Sequence, residues 1–224
     1  MSSQLGLTFA PYEVLEPLPK DAVYFFPRSE AEPETPDDLY DRNQALPAEL
    51  SAYLIRHYAQ VYPDITFIPE WADGTVNAAA YRSNPKGDAA SLLNPMGQEV
   101  RLFGGLLRHK KLGIEGLSLI ISHEVGHFKV GKGKNKGWTS CEGEADYWAA
   151  SVSQRKVWWG KQSLENINIG TEQFNTVYTP LWRLDNQKSV QVSCEMHPAP
   201  SCRKETFLAG LTGKPIPQCA KPLD

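Results

Sequence analysis

No stretch of the 224 residues approaches the roughly 20 consecutive apolar residues that a membrane-spanning helix requires. The most apolar run, GLSLIISHEVGHF from Gly116, carries two histidines and a glutamate, so no transmembrane segment is expected. Neither charge is in excess: 23 Lys+Arg against 26 Asp+Glu leave a net charge of -3 and no electrostatic footprint for nucleic acid. The start, MSSQLGLTFAPYEV, lacks the basic and long apolar regions of a signal peptide. Cysteine is scarce and forms no CxxC pair, which removes the usual structural zinc and thioredoxin patterns.

The four cysteines, Cys141, Cys194, Cys202 and Cys219, all fall in the last 84 residues of the chain. An even number so placed predicts two disulfides and an exported protein, periplasmic or secreted, whose signal peptide is not in this sequence. Arg203 to Leu211 reads as a helix ended by Gly213, after which Lys214 to Gln218 can run back along it. Cys202 is therefore expected to pair with Cys219, and Cys141 with Cys194.

With 41% apolar and 22% charged residues, the composition is that of a globular chain able to bury a core. Residues 1 to 45 stand apart as an extended, proline-rich acidic arm, whose one apolar knot, Val23 to Phe26, can dock on the body as a short strand. Residues 46 to 224 form the main domain. A helix from Leu46, with Pro47 in its first turn, carries Leu50, Leu54, Tyr58 and Val61 at helical spacing and stops at Pro63. Ile65 to Ile68, Val76 to Tyr81 and Val100 to Leu107 read as strands. Ile114 to Phe128 and Glu142 to about Lys161 read as long helices, the second with Trp148 on its apolar face. The order predicts an α+β fold, a small mixed or antiparallel sheet packed on these two helices. Trp148, Trp158 and Trp159 are expected in the core or a groove wall, and Lys129, Lys132, Lys134 and Lys136 in a solvated loop. His57 and His109 are expected to be structural.

The residues that carry chemistry are His123-Glu124-Val125-Gly126-His127, an HExxH. On a helix, positions i and i+4 share a face, so both imidazoles can reach one Zn²⁺ while Glu124 stands beside the open coordination position. The next helix opens Cys141-Glu142-Gly143-Glu144-Ala145-Asp146, an ExxxD. Glu142 completes a His₂Glu set for one zinc per chain, and Asp146, a turn later, can accept the free ring N–H of a ligand histidine. Glu144 faces elsewhere.

HExxH followed by ExxxD resembles the gluzincin metallopeptidases, and within them the CAAX prenyl endopeptidase-like (HtpX-like) family in a soluble minimal form. Asn77-Ala78-Ala79-Ala80, Gly105-Leu106-Leu107, His123 to His127, Glu142 to Asp146, and His197-Pro198 with Arg203 follow that family's order across roughly residues 75 to 210. The resemblance implies a zincin-like metalloendopeptidase. A water activated by zinc would attack the peptide bond, with Glu124 as general base. It implies that Val100, Arg101, Leu102 and Phe103 form the edge strand that pairs with an extended substrate, the alternative being an ordinary edge strand blunted by Arg101 and Arg108. It also implies that His197 completes the catalytic site as a donor to the developing oxyanion, with Tyr147 and Tyr178 as rival donors and Arg203 pairing with a carboxylate. The expected partner is a peptide or protein substrate of a monomeric enzyme. The competing reading is a non-catalytic zinc-stabilised binding protein of the same fold.

Overall fold

The computed structural model describes residues 17–27, 31–83, 94–130, 138–184, 194 and 196–221. Lys132, Lys134 and Lys136, and the arm before residue 17, lie outside them. The chain is mixed α+β. Strand β1 (Val23–Tyr24) is followed by a 3₁₀ turn (Pro36–Asp38), helix α1 (Ala45–Val61) and strands β2 (Thr66–Glu70), β3 (Ala78–Arg82) and β4 (Gln98–Phe103). A helical turn, α2 (Gly104–Leu107), leads to α3 (Ile114–Lys129). Then come α4 (Glu142–Trp148), a π-helical turn (Ala149–Ser153), α5 (Gln154–Val157), α6 (Lys161–Leu184) and α7 (Pro200–Thr212).

The sheet is mixed, with strand order β1-β3-β4-β2. β4 pairs parallel with β2, Val100 opposite Phe67, and antiparallel with β3, Val100 opposite Ala80. Val100 to Phe103 is thus an interior strand with both sides hydrogen-bonded, which corrects the expectation of a substrate-binding edge. Arg101 does not blunt an edge either. It is buried, its guanidinium 5.5 Å from the Tyr81 ring centroid and 3.8 Å from the Glu70 carboxylate. The edge on the β3 side is covered by β1, so the apolar knot of the arm docks as a strand. Further along the arm, Ala31 is buried and its carbonyl accepts the Val76 N–H, while Lys110 N–H donates to Asp38, so these residues run along the body.

β4 ends at Phe103, short of the expected Leu107, because the chain must pass tightly under the Trp71 to Thr75 loop. A Cβ at Gly104 would lie 2.1 Å from the Trp71 carbonyl oxygen, and one at Gly105 2.0 Å from that of Gly74. The helix expected to run unbroken from Glu142 is interrupted by the π-turn, and the chain turns at Gly160, φ +54°. Trp158 is buried, but Trp159 is 85% exposed, contrary to expectation, since it stands after the helix has ended. α6, with Pro180 inside it, was not among the expected helices, although Ile167, Phe174, Tyr178 and Leu181 are buried along one face.

The core joins Leu54 and Tyr58 of α1, Val100 and Leu102 of β4, Leu119 and Ile120 of α3, Phe174 and Tyr178 of α6, and Phe207 of α7. Each such side chain contributes about 1.5–3 kcal/mol by leaving water. At its polar centre Tyr58 meets Ser118 and Ser122, Gln154 donates to both hydroxyls, and the Trp158 N–H donates to that of Ser118. α3 is thereby locked in rotation, which fixes where His123 and His127 face. Disulfides Cys141–Cys194 and Cys202–Cys219, the pairing expected from sequence, tie the start of α4 to the segment before His197, and α7 to the 3₁₀ turn Gln218–Ala220.

Candidate metal centre

His123, Glu124 and His127 lie in the last two turns of α3 and are fully buried. α4 can come close to them because position 126 has no side chain: a Cβ there would stand 3.1 Å from both the Cα and the carbonyl oxygen of Ala145. Glu142, at the first position of α4, is then brought against the two imidazoles. Its Oε2 is 3.3 Å from His123 Nε2 and its Oε1 3.7 Å from His127 Nε2, and the two Nε2 atoms are 3.0 Å apart. One ligand atom from each of the three lies within 4.8 Å of the others.

Each histidine has its far nitrogen engaged, which leaves Nε2 for the shared point. His123 Nδ1–H donates to Asp146 at 2.7 Å. His127 Nδ1–H has the Thr139 hydroxyl at 3.0 Å and the Ser140 carbonyl at 3.3 Å as acceptors. Arg203 in turn grips Asp146 through Nε and Nη2, both at 2.8 Å. Glu144 faces away, accepting the Cys141 N–H at 3.0 Å and capping α4.

The donor set fits a divalent cation. Glu142 Oε2 and both oxygens of Glu124 are buried and find no hydrogen-bond partner, a costly arrangement that a cation and its ligand sphere would relieve. Two imidazole lone pairs and a carboxylate suit a first-row metal ion.

Electrostatics sort the carboxylates into two kinds. Burial pushes Glu124 up to about 8. Burial also acts on Glu142, but His197, His127 and His123 outweigh it and hold that carboxyl well below the ordinary range. Burial lowers His127 to about 3, whereas at His123 the Asp146 charge overcomes burial and raises the imidazole to about 9. Asp146 is held down, against its burial, chiefly by Arg203.

His197 lies at the same place. Its Nε2 is 3.5 Å from Glu142 Oε1 and donates to the Tyr24 carbonyl. Burial keeps it below its ordinary value, although the Glu142 charge pulls the other way. Of the rival donors, the Tyr178 hydroxyl is spent on the Val76 carbonyl. Val100, Arg101, Leu102 and Phe103 belong to the interior of the sheet and offer no free edge here. His57 bonds the Val157 carbonyl at 2.8 Å, and His109 bridges to Leu39, both apart from this group.

Sequence reasoning missed Thr139 and Ser140, whose signal is only that they precede the Glu142 helix. It also missed Phe25, whose ring meets His123 edge-on at 5.0 Å. Comparison of the chain with protein-family models, with curated proteins and with solved structures finds no match.

Proposed function

We propose that this chain is a zinc-dependent metallopeptidase of the zincin-like kind, with His123, His127 and Glu142 holding the ion. The observation that carries the reading is the buried meeting of those three ligand atoms beside a fourth group, Glu124, with no partner of its own. A site built only to stabilise the fold has no use for such a carboxylate. Zinc, when bound, would supply Lewis-acid polarisation of a carbonyl and easier ionisation of water.

The chain's own residues do the rest. Glu124 takes the proton of the attacking water and passes it to the leaving amine, the task for which a value near 8 suits it. His197 Nε2–H donates to the carbonyl oxygen as it gains charge. Asp146 and Arg203 hold His123 in the tautomer that turns its lone pair to the ion. The two disulfides and the lack of any helix long and apolar enough to cross a membrane, among the described residues, suit an exported protein.

Glu124→Gln tests the reading. With zinc content and fold retained, peptide hydrolysis should fall about 10²- to 10⁴-fold. A zinc-loaded chain that cleaves nothing in a broad peptide library, both intact and with the Val23–Tyr24 strand loosened by substitution, would favour the binding-protein reading.

A further inference from the structure

Glu142 and the two histidines are closed off from solvent, and Phe25 of this same chain lies against one of them, its ring centroid 5.0 Å from that of His123. Resting on the peptidase reading, we infer that Val23 to Phe26 occupies the substrate position as a peptide would, holding the site shut, and that the site takes extended peptides with an aromatic residue just after the bond presented to the metal.

The main chain of the segment is bound as a strand. Val23 stands opposite Ala80 and Tyr24 opposite Ala79, antiparallel, and Phe25 N–H donates to the Ala78 carbonyl at 2.9 Å. This is strand addition, the mode by which an extended peptide is recognised through its backbone. The true edge for a substrate is therefore β3, which begins within the Asn77-Ala78-Ala79-Ala80 stretch.

Two successive carbonyls are then received by groups of the site. Tyr24 C=O accepts from His197 Nε2, the atom 3.5 Å from Glu142 Oε1. Phe25 C=O accepts from Arg203 Nη1, while the other nitrogens of the same guanidinium hold Asp146 behind His123. The Tyr24–Phe25 peptide bond is thus flanked by two donors at the rim of the metal group. Asn77 fixes the next residue from both sides, Oδ1 accepting the Phe26 N–H at 3.0 Å and Nδ2 donating to its carbonyl at 3.2 Å.

The side chain of Phe25 supplies the selectivity. It is fully buried, with the Arg203 guanidinium 4.1 Å from its ring centroid, His123 at 5.0 Å, Tyr178 at 5.1 Å and Phe174 at 5.7 Å. A flat π face under a guanidinium and edge-on aromatic neighbours suit an aromatic ring better than an aliphatic chain. Val23 and Tyr24 are only half-buried, so less is asked of the residues before the bond.

Zinc removal by 1,10-phenanthroline tests the strap without relying on hydrolysis. In the zinc-loaded, full-length chain, the removal rate should level off as chelator is raised, because opening of the strap becomes limiting. That limit should match the opening rate of the Phe25 and Phe26 amides in hydrogen exchange. Phe25→Ala should raise it at least tenfold, and hydrolysis of an added Val-Tyr-Phe-Phe peptide should rise with it, with cleavage between Tyr and Phe. A removal rate strictly proportional to chelator in the unmodified chain would overturn the strap even if Phe25→Ala failed to fold. Equal cleavage of peptides with Phe or Ala after the scissile bond would overturn the selectivity. Faster zinc removal in Phe25→Ala with no hydrolysis in any form would support the strap while refuting the peptidase reading.

Discussion

Arg203 holds both carboxylate oxygens of Asp146 at 2.8 Å, and the Oδ1 of that pair receives the His123 Nδ1–H at 2.7 Å. All three side chains are buried, so the chain of contacts from α7 through α4 to α3 is a rigid support for one imidazole. Asp146→Asn should weaken Zn²⁺ affinity about 10- to 100-fold, measured by competition with a chromophoric chelator. Arg203→Met leaves the Asp146 charge buried without its cation and should cost about 3–5 kcal/mol in chemical denaturation.

The close approach of Gly126 to Ala145 predicts a different failure. Gly126→Val inserts a branched side chain where a Cβ already stands 3.1 Å from backbone, and overpacking of this kind costs about 1–3 kcal/mol. Because the strain separates α3 from α4, zinc affinity should fall along with stability. Unchanged affinity would show that Glu142 is not positioned by this contact.

The disulfides should contribute unequally. Cys141–Cys194 spans 53 residues and Cys202–Cys219 spans 17. Loop-closure entropy then gives about 4 and about 3 kcal/mol respectively, so Cys194→Ser should lower the denaturation midpoint more than Cys219→Ser.

His109 sets an acid limit away from the metal. Burial lowers it to about 4 from an ordinary 6.5, although Asp38 pulls the other way, and its Nδ1 accepts the Lys111 N–H as a neutral ring must. Between those two values the unfolded chain binds a proton that the folded chain refuses. Stability should therefore fall as pH drops through that window, by up to about 3 kcal/mol, and this contribution is flat below it. In His109→Gln that part of the acid loss should vanish from denaturation curves taken across the window.

What was legible in the sequence was local. Pro47 and Pro63 bracket α1, and Gly213, at φ +69°, ends α7. The i, i+4 spacing of His123 and His127 and the one-turn spacing of Glu142 and Asp146 fix which side chains share a helix face, so the candidate ligands are legible within each helix, while the meeting of the two helices depends on the approach of Gly126 to Ala145. Strand order is not, because pairing of β4 with β2 on one side and β3 on the other joins segments that nothing local connects. The strap was visible as an apolar knot but not as an occupant, since its partners lie 51 to 178 residues away. α6 escaped because its first half is rich in polar residues, with Asn166 on the buried side, and Pro180 reads as a helix breaker, although Ile167, Phe174, Val177, Tyr178 and Leu181 are buried.

If His123, His127 and Glu142 together hold one metal ion, the metal content of the chain must show it. Elemental analysis of the purified chain, desalted after zinc loading, should find about one zinc per molecule. His123→Ala and Glu142→Ala should each lose it, with fold checked by circular dichroism. A folded wild-type chain that retains no metal, or variants that retain as much as the wild type, would rule out this ligand set.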